Sequence, residues 1–106
     1  MNELELARQG IASVDKQLAA LFEERMRLCS LVLEYKRTHG LPILDAAQEE
    51  RVIVRNLGAV ADPVIRDYFV LFLKDLIKTS KAYQARLMHG MKIAYSAPNT
   101  SGRRAI

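Results

Sequence analysis

A single apolar line runs through the first third of this chain, and its length limits what can be built around it. Leu4, Ala7, Ile11, Val14, Leu18, Leu21, Arg25, Leu28, Val32 and Tyr35 follow one another at steps of three and four. That spacing is the seam of an amphipathic helix. It predicts a helix from residue 2 or 3 to residue 38, stopped by Gly40 and Pro42 in 39-HGLP-42. A helix of some 36 residues is about 54 Å long. A compact domain of about 100 residues has a radius of gyration near 13 Å. Two shorter helices of the same chain cannot cover such a seam end to end, so a second copy is expected to cover part of it. The expected architecture is all-α, with three helices per chain in an intertwined homodimeric bundle.

The other two helices announce their starts. Asp45 is a good N-cap, and Gln48 three residues later completes a capping-box pattern. This predicts a short second helix through 48-QEERVIVRNL-57, ending at Gly58. Asp62 followed by Pro63 opens the third helix. Its stripe is Ile65, Phe69, Phe72, Leu73, Leu76, Ile77, Tyr83 and Leu87, and it ends near His89 and Gly90. Residues 1–90 are therefore expected to form the domain and 91–106 a tail.

Bulk properties exclude several classes. With 106 residues, one small domain is available and two are not. No apolar run approaches the length of a membrane span. MNELELARQG is charged and lacks the apolar core of a signal peptide. Cys29 is the single cysteine, so no internal disulfide can form and a cytoplasmic protein is expected. The net charge of +4 includes Arg103 and Arg104 in the tail. No Lys/Arg cluster interleaved with aromatics points to nucleic acid. There is no metal-ligand spacing, no phosphate loop and no cofactor fingerprint, so no cofactor is expected.

The seam has one interruption, Arg25. Alone, an arginine there is explained by snorkelling or by an ion pair. Other polar residues fall on lines that should be apolar. Lys36 lies eleven residues after Arg25, close to three helical turns, and so projects from nearly the same face. Glu49 leads the stripe Glu49, Val52, Ile53, Asn56, Leu57. Ser80 and Gln84, one turn apart, continue the line of Leu73, Leu76 and Ile77. Together they describe a bundle interior with a polar, net-cationic patch. Neither His39 nor His89 has a partner that would make a nucleophile–base pair. Fixed cations with neutral donors suit binding a dianion and stabilising charge that moves within it.

Between residues 4 and 88 the chain resembles the all-helical, AroQ class of chorismate mutases. The resemblance rests on 8-RxxIxxVD-15, 22-FEER-25, Lys36, 42-PILDxxQEERV-52 and 80-SxxxQ-84, in this order and with these gaps. It implies an isomerase that rearranges chorismate to prephenate by a [3,3] shift in aromatic amino-acid biosynthesis, the shikimate pathway. By this resemblance Arg25 would grip one substrate carboxylate and Arg8, from the other subunit, the second. Lys36 would bind a carboxylate and the ether oxygen, to which Gln84 would also donate. Glu49 would accept from the ring hydroxyl, with Asp45 beside it, and Ser80 would help hold a carboxylate. Gln48 departs from the enteric relatives, which carry arginine there, and is expected to alter substrate affinity.

Three other readings share these residues. A lyase of the same fold releases pyruvate from isochorismate, but the Asp45–Glu49 pair favours the mutase. A regulatory module could keep the same pocket, and a ligand-free dimeric scaffold would leave the polar intrusions unexplained. The tail segment 91-MKIAY-95 resembles the opening strand of a prephenate dehydratase domain. It is expected to be either a remnant of that strand or part of a disordered tail.

Overall fold

The computed structural model describes residues 1–89. The tail and its strand-like segment lie outside the described residues. Among the described residues, three α-helices follow one another: α1 (Glu3–Thr38), α2 (Ala46–Asn56) and α3 (Pro63–Met88). A 3-10 turn, Leu57–Ala59, extends α2 by three residues, so the helical path runs one residue past Gly58.

Each helix starts where a side chain can take up its unpaired N–H groups. Asn2 caps α1 by accepting from the Glu5 N–H at 2.8 Å, while Glu5 accepts from the Asn2 N–H at 3.1 Å. This reciprocal box is not among the starts that the sequence reading picked out. Asp62 caps α3 through the Val64 and Ile65 N–H groups, with Pro63 in the first turn. Asp45 caps α2 by accepting from the Gln48 N–H at 3.0 Å. The second half of that expected box is not made. Gln48 Oε1 instead accepts from Arg51 Nε at 2.9 Å, one turn along the same helix.

The end of α1 is equally specific. Gly40 takes a positive φ of 65°, which lets Leu41 N–H reach back to the Lys36 carbonyl at 2.8 Å. The Gly40 N–H points to the Arg37 carbonyl, completing the usual glycine-closed helix terminus. Lys36 therefore stands in the last turn of α1, just before the chain reverses.

α1 packs on α3, and α3 on α2. Among the described residues, the buried apolar ones are Leu33 and Leu73. In its C-terminal half α1 turns Arg25, Met26, Cys29, Ser30, Leu33 and Lys36 inward, each at least half-buried. This face is rotated from the seam read in the sequence. Of the seam, Arg25 alone is not exposed; Ile11 is 59% and Leu21 63% exposed. The chain is correspondingly elongated, 56 × 36 × 18 Å with a radius of gyration of 17.1 Å.

Candidate functional site

The three helices meet around a cleft of about 130 Å³. Each contributes residues at the same helical spacing. α1 supplies Arg25, Cys29, Val32 and Lys36; α2, with its cap, supplies Asp45, Gln48, Glu49 and Val52; α3 supplies Ile77, Ser80, Lys81 and Gln84. Steps of three and four residues put each set on one face of its helix. Ile43, from the loop between α1 and α2, closes one side.

Seven of the residues singled out in the sequence line this cleft: Arg25, Lys36, Asp45, Gln48, Glu49, Ser80 and Gln84. Arg8 does not. It lies seventeen residues before Arg25 on the same helix, which is about 26 Å along the axis. It is exposed. Lys81 lines the cleft and was not singled out. The signal was present, since Lys81 precedes Gln84 by three residues and follows Ile77 by four. Ser80, beside it, fits the same stripe.

The polar groups are tied to one another across helices. Arg25 Nη1 donates to Ser80 Oγ at 2.6 Å, and the buried Ser80 hydroxyl donates to the Leu76 carbonyl at 2.9 Å. Cys29 Sγ lies 3.8 Å from the same Arg25 nitrogen. Among the described residues, Nε and Nη2 of Arg25 have no partner, so the planar fork keeps donors for a carboxylate. Lys36 Nζ donates to the Ile43 carbonyl at 3.3 Å and holds the loop against α1. Gln84 Nε2 donates one hydrogen to the Cys29 carbonyl at 3.0 Å, leaving its second.

The carboxylates are also partnered. Glu49 Oε2 lies 3.0 Å from Lys81 Nζ, with the two side chains 32% and 44% exposed. An ion pair that open to solvent contributes about 0–1 kcal/mol to stability, so it can be exchanged at little cost. Asp45 Oδ2 faces Arg51 Nη2 at 3.9 Å. The site thus presents three cations and two carboxylates on rigid helices, with neutral donors between them. Such a set can hold a dianion in one geometry and stabilise charge developing on it.

The family model for chorismate mutase type II matches residues 7–85. The chain belongs to this family. As a type II chorismate mutase it is an isomerase that takes chorismate as substrate and yields prephenate, in aromatic amino-acid biosynthesis. Neither the curated proteins nor the solved structures include a significant match to the chain. The all-helical fold agrees with the mutase class. Among the described residues, no helix is long and apolar enough to cross a membrane.

Proposed function

We propose that chorismate rearranges in the cleft between α1, α2 and α3, and that this cleft is completed by Arg8 of a second copy of the chain. The observation that carries the reading is the convergence of Arg25, Lys36, Glu49, Ser80 and Gln84 on one small volume.

The division of labour follows from the donors each side chain has left. Arg25, oriented by Ser80, offers Nε and Nη2 to one carboxylate of the substrate. Lys36 has two further N–H donors for a carboxylate and the ether oxygen. The second N–H of Gln84 is available to that same oxygen, where negative charge grows as the C–O bond breaks. Glu49 keeps Oε1 as acceptor for the ring hydroxyl, next to Asp45. Gln48 and Asp45 bound the α2 side, and Ser80, whose own hydrogen goes to the Leu76 carbonyl, acts on the substrate carboxylate by orienting Arg25. The reaction breaks one C–O bond and makes one C–C bond within a single molecule, so it requires no proton transfer. Gripping the substrate at both ends in its folded, reactive shape supplies a proximity contribution as well.

A second copy is supported by what α1 leaves uncovered. Its seam is exposed, and Leu18, Leu21 and Phe22 line an apolar groove of about 370 Å³ with Phe69, Phe72 and Leu76 of α3. A contiguous exposed apolar face of this kind suits an interface. An antiparallel two-fold pairing centred between Leu18 and Leu21 sets residue 8 of one copy opposite about residue 31 of the other. That level lies between Arg25 and Lys36, where the second carboxylate of chorismate needs a cation.

The test is prephenate formation from chorismate by the purified chain and by Arg25→Ala. The expected loss for Arg25→Ala is about 10²–10³ in kcat, or about 3–4 kcal/mol of transition-state stabilisation, with the helical content unchanged. Full activity in a folded Arg25→Ala protein would contradict the assignment, as would pyruvate release from isochorismate with no prephenate from chorismate.

A further inference from the structure

The charges lining the cleft can be counted. Arg25, Lys36 and Lys81 are cationic, Asp45 and Glu49 anionic. Without Lys81 these charges cancel, and the described residues of the cleft offer no net attraction to a dianion. With it, the lining carries one positive charge, and a trans Arg8 raises this to the two that a dianionic substrate requires. Arg51 stands outside the lining, on Asp45 and Gln48.

We propose that Lys81 is a substrate-binding cation of this cleft, holding Glu49 and a carboxylate of chorismate at once. This rests on the cleft being the chorismate site. Three features support it. Lys81 follows Ser80, the partner of Arg25, and precedes Gln84 by one turn, so its stem rises inside the donor set. Its ammonium carries three N–H donors, and Glu49 at 3.0 Å takes one of them. Its side chain is more open to solvent than those of Arg25 and Lys36, which are half-buried and tied to Ser80 and to the Ile43 carbonyl. Lys81 can therefore turn its two remaining N–H donors toward an arriving anion while it keeps its contact with Glu49. By engaging Glu49 Oε2, it leaves Oε1 as the acceptor for the substrate hydroxyl.

Steady-state kinetics on chorismate separate this role from a structural one. Lys81→Met is expected to raise KM about tenfold at low ionic strength, the scale of one charge-assisted contact partly open to solvent, with a smaller change in kcat. Lys81→Arg keeps the charge and should stay near wild-type KM. Restoring a cation from across the cleft, in Lys81→Met combined with Gln48→Arg, should recover most of the lost affinity. Lys78→Met removes the same charge from an exposed position of α3 outside the cleft and should leave KM unchanged. A folded Lys81→Met enzyme with wild-type KM would overturn the proposal, as would an equal rise in Lys78→Met. If Lys81→Met does not fold, a Lys81→Gln enzyme is read by the same criteria. Failure of the underlying site assignment looks different: Arg25→Ala would then retain full activity whatever Lys81 does.

Discussion

Arg25 occupies a seam position where leucine would pack, and the fold gives it a specific partner. Its guanidinium crosses from α1 to the buried Ser80 of α3 at 2.6 Å, which fixes the plane of the fork before any ligand arrives. Charge alone does not reproduce that. Arg25→Lys keeps the charge but lacks a rigid planar fork able to meet Ser80 and a carboxylate together. It is expected to fold normally and to lose at least tenfold in kcat/KM, read from chorismate consumption. Arg25 was legible because it interrupts the apolar seam, Lys36 because it follows Arg25 by about three turns, and Glu49, Ser80 and Gln84 because they fall on lines that should be apolar. Lys81 shares the line of Ile77 and Gln84 but does not stand out on it, since a lysine on a helix is usually a solvated face. Only the packing of α3 against α2 shows that it points at Glu49.

At the level of elements, helix limits were the most legible part. Asp45, Asp62, Pro63 and Gly40 all act where turn and cap chemistry places them. Asp62→Ala removes acceptors from two N–H groups at the start of α3 and is expected to lower stability by about 1 kcal/mol in denaturant melts, leaving turnover nearly intact because the site lies in the second half of that helix. Two features escaped the sequence. Gln48 turns to Arg51 in place of the Asp45 backbone, because a helix offers an i+3 partner as readily as a capping bond. The packing face of α1 was also hidden. Met26, Cys29 and Leu33 form a second apolar line beside the seam, and periodicity cannot say which line meets the same chain. The structure gives Leu33 to the interior and leaves the seam exposed.

The exposed seam organises the molecule as a whole. A chain 56 Å long with two buried apolar residues among those described is not a self-sufficient core. The proposed two-fold pairing covers the seam and brings Arg8 to the cleft, so stability and catalysis depend on the same contact. Subunit complementation tests this directly. Arg8→Ala and Arg25→Ala each remove one cation from every site and should be nearly inactive alone. Co-refolded in equal amounts, they form hybrids in which one of the two sites has both arginines. Since half the dimers in such a mixture are hybrids, prephenate formation should return to about a quarter of the wild-type rate. A mixture no more active than its two components would contradict a cleft completed by the second copy.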